Sequence, residues 1–244
     1  IIERQFAKLT NAFAGSKTRF FYACKALSNM NILKIIHQLG AGLDTVSINE
    51  VKIGLKAGFA PKQILFTPNC VHFSEIEEAK ELGVHINIDS ISMLEQFGNT
   101  YGNLYPIMIR LNPHIMAGGN LKISTGHIDS KFGISIHQMR HIERIVNTTG
   151  LNVEGLHMHT GSEIKDIQVF LQALEVMLDV ATHFPQIQYL DLGSGFKVSY
   201  SAEEKATDVN LLGEKLKEAL QQYQQETGKE LEIWFEPGKY LVSE

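Results

Sequence analysis

Short runs rich in β-branched and aromatic residues alternate along the chain with longer segments of helical hydrophobic periodicity. We predict eight strands, at 20–23, 43–47, 63–67, 85–89, 105–111, 153–159, 188–192 and 232–236. Helical segments are predicted between most of them, at 30–39, 50–57, 74–82, 135–148, 166–184 and 210–227. Strands that alternate with such helices form right-handed parallel βαβ units. Eight of them is the number that closes a barrel, so an α/β fold, a (β/α)8 TIM-type barrel, is predicted as one domain over residues 1–244.

Local signals add detail to this prediction. Asn49 and Ser74 are predicted as helix N-caps, and Gly40, Gly58 and Gly83 stand where helix C-caps belong. A doubly wound open sheet is the alternative fold, but it normally carries a glycine-rich fingerprint after its first strand, and none is present here. The irregular segment 112–133 is long for a compact domain, which is more typical of a functional loop than of a connection.

Composition narrows the class of protein. Of the 244 residues, 44% are hydrophobic and 20% are charged, with a net charge of -5. This balance excludes a disordered chain. It also argues against a nucleic-acid or membrane partner, because a protein that binds either one normally carries a basic face. The only cysteines, Cys24 and Cys70, suit a reducing compartment and give no metal-ligand spacing. We expect a soluble cytoplasmic protein without a metal.

In barrels of this type the chemistry gathers at the C-terminal ends of the strands. Lys25 directly follows the first predicted strand. A lysine amine in a partly apolar pocket loses proton affinity and can form a Schiff base with a carbonyl compound. A solvated surface lysine is the alternative, which the position at a strand end makes less favourable.

Two glycine-containing loops are candidate phosphate sites. Gly193, Ser194 and Gly195 follow the seventh strand, and Thr160-Gly161-Ser162 follows the sixth. Both loops can present backbone N–H groups to an anion, and both precede helical segments. Each alone is equally consistent with a tight turn, but together with Lys25 they favour a phosphate-bearing cofactor.

Ionisable residues end the other strands. His157 and His159 point to the same side of one strand, where a ring could stack on a cofactor, although an ordinary interior histidine is favoured for His157. Glu236 could accept a hydrogen bond from a ring N–H group and keep that nitrogen protonated. Arg110 could bind a carboxylate or form a structural ion pair, and Asp44, like Asp89, could orient a nearby cation.

In order and spacing, these motifs resemble those of the fold-type III pyridoxal-phosphate-dependent decarboxylases, whose barrel is of the alanine racemase type. The motifs are Tyr22-Ala23-Cys24-Lys25-Ala26-Leu27-Ser28-Asn29, Gly42-Leu43-Asp44-Thr45-Val46-Ser47, Ile88-Asp89-Ser90, Arg110-Leu111-Asn112-Pro113, Ser130-Lys131-Phe132-Gly133, His157-Met158-His159-Thr160-Gly161-Ser162, Asp191-Leu192-Gly193-Ser194-Gly195-Phe196 and Glu236-Pro237-Gly238. The long segment before Ser130, with Ser124-Thr125-Gly126 inside it, resembles the branch acting on diamino-dicarboxylic acids. A related enzyme for carboxynorspermidine, arginine or ornithine, and a non-catalytic cofactor-binding barrel, are the alternatives.

The resemblance implies a role for each residue. Lys25 would hold pyridoxal 5'-phosphate covalently, His159 would stack on the pyridine face, and Glu236 would pair with the ring nitrogen. The other implied cofactor contacts are Ser162, Gly193, Ser194 and Gly195 at the phosphate, Gly238 beside Glu236, and Asp44 and Arg110 as orienting residues. The implied substrate is an amino acid, and the implied assembly of the full-length protein is a homodimer.

The sequence also departs from the family pattern. Leu27 replaces the usual Asn, Ser194 replaces the middle glycine of the phosphate loop, and Lys239 stands where the family usually has Arg. The family's β-rich second domain, which supplies a Cys and a Tyr to the partner's site, has no counterpart after Glu244. We therefore expect a barrel domain truncated at both ends that depends on absent sequence for full activity.

Overall fold

Eight parallel strands form a closed barrel in the computed structural model, which describes residues 1–115, 131–201 and 203–243. The barrel strands are β1 (Thr18–Ala23), β2 (Gly42–Thr45), β3 (Ile64–Phe66), β4 (His85–Ile88), β5 (Ile107–Asn112), β7 (Val153–His157), β8 (Tyr189–Asp191) and β9 (Glu232–Phe235). Each pairs in parallel with its neighbours, and the β9–β1 and β4–β5 pairings close the ring. The closed ring confirms the predicted barrel and excludes the open sheet.

Helices cover the outside of the barrel. They are α1 (Ile2–Ala12), α2 (Met30–Gln38), α3 (Ile48–Ala57), α4 (Phe73–Leu82), α5 (Ile91–Tyr101), α6 (Met139–Thr149), α7 (Ile167–Ala181), α8 (Val209–Thr227) and the short α9 (Lys239–Val242). A two-residue strand, β6 (Ile134–Ser135), pairs with the end of β5. None of the helices that the structure describes is long and apolar enough to cross a membrane.

The eight predicted strands and six predicted helices are confirmed, with ends that shift by a few residues. The prediction missed α1, α5, α9 and β6. The two predicted N-caps are wrong, because the helices begin earlier: the Glu50 N–H donates to the Ser47 side chain, and the Ser74 N–H donates to the His72 ring. Gly58 and Gly83 are the C-caps of their helices and adopt the left-handed conformation, as predicted. The C-cap of α2 is Leu39, so Gly40 lies one residue beyond it, with φ 85°.

The strands bury both faces, so the described residues form two apolar regions. The larger lies between the barrel and its helices and takes, for example, Phe20 and Tyr22 from β1. The smaller is formed by Phe21, Leu65, Met108 and Trp234, with Tyr189 packed against it. Because side chains alternate along a strand, this second cluster fills the interior of the barrel. It closes the N-terminal half of the barrel beneath the strand ends.

Candidate active site

A polar layer lies directly above the apolar filling of the barrel. Two residues beyond an interior position, a strand again points its side chain inward. Thus Met108 is followed by Arg110 on β5, and Trp234 is followed by Glu236 after β9. The residues at these second positions are all buried: Ala23, Asp44, Thr67, Asn87, Arg110, His157, Asp191 and Glu236. The period of the strands therefore brings acids, an arginine and a histidine from different strands together.

Lys25 lies in a single 3₁₀ turn, Cys24–Ala26, that continues from β1. Its side chain is 54% exposed, and its Nζ lies 3.5 Å from Oδ2 of Asp44. The lysine lines a cavity of about 370 Å³ together with His159, Ser162 and Glu236. That volume is in the range of sites that bind small molecules.

The expectation that Lys25 loses proton affinity is wrong for this structure. The carboxylate of Asp44 raises the pKa of Lys25 and outweighs burial, which alone would lower it. Burial, with the neighbouring carboxylate of Glu236, in turn raises the pKa of Asp44 to about 6. Lys25 and Asp44 are therefore both charged near neutral pH, and Asp44 orients the lysine as an ion-pair partner.

Three buried side chains meet at the ends of the neighbouring strands β7, β8 and β9. One possible ligand atom each from His157, Asp191 and Glu236 lies within 4.8 Å of the others, and Nε2 of His157 is 3.1 Å from Oε1 of Glu236. Burial raises the pKa of both acids and lowers that of His157 well below its usual range. The two acids share a hydrogen bond in which the proton belongs to Asp191, whose other oxygen accepts the Gly193 N–H at 2.8 Å.

Sequence spacing did not reveal this trio, because its members come from three strands. His157, Asp191 and Glu236 make a donor set that a metal could use. Arg110, however, acts electrostatically on both Glu236 and Asp191, and a positive charge so close disfavours a second cation. A neutral histidine and a shared carboxyl proton favour a ligand that brings an N–H donor to Glu236.

Arg110 is the cation of the polar layer. It is buried on β5, and its guanidinium carbon lies 4.8 Å from the centre of the Phe132 ring. Burial lowers its pKa, while Glu236, Asp89 and Asp44 act in the opposite direction. Asp89 itself accepts a hydrogen bond of 2.6 Å from the Asn69 side chain. Both roles considered for Arg110, binding of a carboxylate and a structural ion pair, stay predictions.

His159 lies between the polar layer and the glycine loop. The Ser194 N–H points to its Nδ1 at 3.4 Å, so this nitrogen is the acceptor. Burial, followed by the charges of Lys25 and Arg110, lowers the pKa of His159 well below its usual range. A Cβ on Gly193 would lie 2.5 Å from the same Nδ1. The neutral ring is thus held against the loop that follows β8.

The two predicted phosphate loops touch each other. Gly195 has φ 101°, and a Cβ there would lie 2.2 Å from the carbonyl oxygen of Gly161. The Ile164 N–H also donates to the Gly195 carbonyl at 2.8 Å. Ser162, Ser194 and Gly195 line the cavity that contains Lys25. Their predicted role as phosphate ligands stays a prediction.

The segment after β9 completes the cavity wall. Gly238 lines it, and a Cβ on Gly238 would lie 3.1 Å from the Cβ atoms of Ala23 and Ala26, so it packs against the turn that carries Lys25. Lys239 also lines the cavity and pairs with Glu163, a residue that the sequence did not single out. Ser130 and the Ser124-Thr125-Gly126 motif lie outside the described residues.

The residues present fit pyridoxal phosphate. Among the described side chains, Oε1 of Glu236 and Oδ1 of Asp44 are buried without a hydrogen-bond donor, since Nε2 of His157, although 3.1 Å from Oε1, makes no hydrogen bond to it. Buried acceptors of this kind are normally satisfied, which matches a ring N–H at this place. The cavity adds a lysine amine, a neutral imidazole and a backbone loop where a side chain at Gly195 would clash.

The chain belongs to a family of pyridoxal-phosphate barrels: the sequence model described as "Pyridoxal-dependent decarboxylase, pyridoxal binding domain" matches residues 1–243. Diaminopimelate decarboxylase of Methanothermobacter thermautotrophicus is 33% identical over 254 residues, covering 100% of this chain and 59% of that protein. The Campylobacter jejuni enzyme of the same name is 32% identical over 251 residues, covering 99% and 61%. The chain spans about 60% of the length of these relatives.

Solved structures agree with this membership. Diaminopimelate decarboxylase from Helicobacter pylori, complexed with L-lysine, superposes with a TM-score of 0.88 and 30% identity, covering 100% of this chain and 62% of that one. Lysine/ornithine decarboxylase from Vibrio vulnificus, complexed with putrescine, gives a TM-score of 0.80 at 21% identity, covering 98% and 61%. At that identity the second likeness shows the shared fold alone.

Proposed function

We propose that the protein is a pyridoxal-phosphate-dependent decarboxylase that converts meso-diaminopimelate to L-lysine and CO2. The observation that carries the proposal is that the Lys25 amine and the buried acceptor Glu236 line one cavity with the glycine loop. A lysine for covalent attachment and a buried carboxylate for a ring nitrogen are the two groups that this chemistry needs.

The chain's residues divide the task of holding the cofactor. Lys25 would attach it, the His159 ring would lie on its face, and Ser162 with the 193–195 loop would take its phosphate. When bound, pyridoxal phosphate supplies an electron sink for the carbanion left by loss of CO2. Glu236 would accept a hydrogen bond from the ring N–H and keep the proton on that nitrogen. A protonated ring nitrogen stabilises the negative charge that loss of CO2 leaves behind.

Neighbouring residues set the proton positions. Asp191 donates its carboxyl proton to Glu236, so Glu236 stays an acceptor for the ring nitrogen. Asp44 would hold the Lys25 ammonium in place as its ion-pair partner, and the lysine must lose a proton before its amine can react. Arg110 balances the buried negative charge of Glu236, Asp89 and Asp44.

Support for the substrate comes from the relatives. Those of about 30% identity are diaminopimelate decarboxylases, and the Helicobacter pylori structure holds L-lysine. Release of CO2 from a panel of meso-diaminopimelate, carboxynorspermidine, arginine and ornithine tests the assignment. We expect turnover of meso-diaminopimelate; preferred turnover of another member would contradict it. A homodimer, implied by the family resemblance, and a cytoplasmic location, suited by the two free cysteines, belong to the same proposal.

Lys25→Ala tests the cofactor assignment. We expect this variant to lose the visible absorbance of the lysine-bound cofactor and to lose turnover by roughly a thousandfold or more. Lys34→Ala, at an exposed lysine on α2, is the matched control and should keep both. A Lys25→Ala protein that keeps both the visible absorbance of the lysine-bound cofactor and its turnover would refute the proposal.

A further inference from the structure

Four charged side chains form a cluster at the edge of the cavity. Nζ of Lys239 pairs with Oε1 of Glu163, and Nζ of Lys197 lies 3.5 Å from Oε2 of Glu163. Lys197 also lies 3.5 Å from Oε2 of Glu204, and Lys239 contacts the Tyr200 hydroxyl. We call Glu163, Lys197, Glu204 and Lys239 the counter-ion cluster. With two acids and two lysines it is formally neutral.

Two members of the cluster lie in the wall of the cofactor cavity. Glu163 and Lys239 line it together with Ser162, Ser194 and Gly195. Glu163 directly follows Ser162, and the next residue, Ile164, bridges to Phe196 and donates its N–H to Gly195. The carboxylate of Glu163 is thus fixed beside the loop that offers backbone groups to a phosphate.

The backbone holds Glu163 in this place at a cost. Its φ of 59° lies in the left-handed region, which a glutamate rarely adopts. Such a conformation persists only where the surroundings determine it, and here the bridge between the two loops does so. Although burial acts in the opposite direction, hydrogen bonds from Lys239 and Lys197 lower the pKa of Glu163, so it stays ionised near neutral pH.

A dianionic phosphate bound at the 193–195 loop would therefore lie near two opposite charges, those of Lys239 and Glu163. Lys239 would attract it, but the Lys239 ammonium is already neutralised by Glu163, whose own carboxylate repels the ligand. We propose that Glu163 competes with the cofactor phosphate for Lys239 and thereby limits the affinity of the site for phosphate-bearing ligands. This inference rests on the proposed placement of the phosphate at the 193–195 loop.

The test compares Glu163→Gln with the unaltered protein for three ligands: pyridoxal phosphate, pyridoxal and inorganic phosphate. Glutamine keeps the size and the acceptor oxygen while it removes the charge. We expect the Kd values of pyridoxal phosphate and inorganic phosphate to fall by roughly three- to fivefold. Pyridoxal, which lacks the phosphate, should bind with unchanged Kd.

Two further variants isolate the mechanism. Glu204→Gln removes an acid of the same cluster that does not line the cavity, and it should change the phosphate Kd by less than about twofold. In a Lys239→Gln background, Glu163→Gln should give no gain, because the contested cation is gone. Weaker or unchanged phosphate binding in Glu163→Gln, or an equal gain for pyridoxal, would overturn the inference.

The experiment separates this inference from the proposed function. If the unaltered protein binds no pyridoxal phosphate, the proposed function fails. The Kd of inorganic phosphate then still shows whether Glu163 acts on an anion bound at the 193–195 loop. If pyridoxal phosphate binds equally well to both proteins, the proposed function stands and the inference fails.

Discussion

Lys25, the proposed attachment point of the cofactor, is paired with a buried acid, and this pairing controls when its amine is available. Asp44 lies 3.5 Å from Lys25 and raises its pKa, so the resting side chain is an ammonium ion. Only the neutral amine can attack a carbonyl carbon. The carboxylate therefore orients Lys25 at the expense of its intrinsic reactivity at neutral pH.

Asp44→Asn should make Lys25 reactive at lower pH. The amide is nearly the same size but carries no charge, so the attraction that raises the pKa of Lys25 disappears and more free amine is present at any given pH. We expect the midpoint of the pH–rate curve for covalent capture of pyridoxal phosphate to fall by about one pH unit or more. Borohydride trapping at a series of pH values, followed by mass analysis of the Lys25 peptide, measures it.

Asp89→Asn is the control for this prediction. Asp89 is also an acid near the strand ends, but it pairs with Asn69 and is not among the groups that act on Lys25. Its replacement should leave the midpoint in place. An unshifted midpoint in Asp44→Asn would show that the ion pair does not govern the reactivity of the lysine.

Much of the site at residue scale is visible in the sequence, and the protonation states are not. Lys25, His159 and Glu236 each stand at a predicted strand end, so the barrel geometry alone predicts that they converge. The shared proton of Asp191 and Glu236 depends on burial and on a neighbour 45 positions away in sequence, and no local pattern reports it. The raised pKa of Lys25 was missed for the same reason.

At the scale of elements, α1 shows where pattern reading is weakest. Only Gln5, Phe6 and Leu9 of this helix are buried, and its N-cap makes no side-chain hydrogen bond. A helix with so few apolar residues and no cap signal is held by its packing. That packing is close: a Cβ on Gly213 of α8 would lie 2.0 Å from the carbonyl oxygen of Ala12.

Gly213→Ala should destabilise the protein although alanine favours helix formation. The added methyl group would overlap a backbone oxygen, so α1 would have to move away from α8. We expect the free energy of unfolding to fall by roughly 1 to 3 kcal/mol, against a helix-propensity gain of about 1 kcal/mol. Urea unfolding followed by circular dichroism measures the change.

Glu214→Ala, at the exposed position next in α8, gives the comparison. It has the same helix-favouring residue without the overlap and should stay within about 0.5 kcal/mol of the unaltered protein. A more stable Gly213→Ala protein would show that α1 does not lie as closely on α8 as described.

At the scale of the whole molecule, the barrel carries a polar layer on an apolar filling. The lower cluster around Trp234 excludes water, and the acids above it have raised pKa values because of this burial. A carboxyl group with a raised folded-state pKa contributes most stability at low pH and loses that contribution as the pH rises. The buried neutral histidines His157 and His159 act in the opposite sense, so the total pH dependence of stability mixes both effects.

The contribution of Asp191 to this pH dependence can be isolated by comparing the unfolding free energies of a variant and the unaltered protein. Asp191→Asn keeps an acceptor for the Gly193 N–H and a donor for Glu236 but removes the titrating proton. In the unaltered protein without cofactor, the Asp191–Glu236 pair retains one proton that the unfolded chain releases above about pH 5. Between about pH 5 and the raised pKa of the folded pair, the unfolding free energy of the variant, minus that of the unaltered protein, should therefore rise by about 1.4 kcal/mol per pH unit. Asp179→Asn, at an exposed acid on α7, should give a flat difference, and a flat line for Asp191→Asn would show that the barrel does not hold the proton.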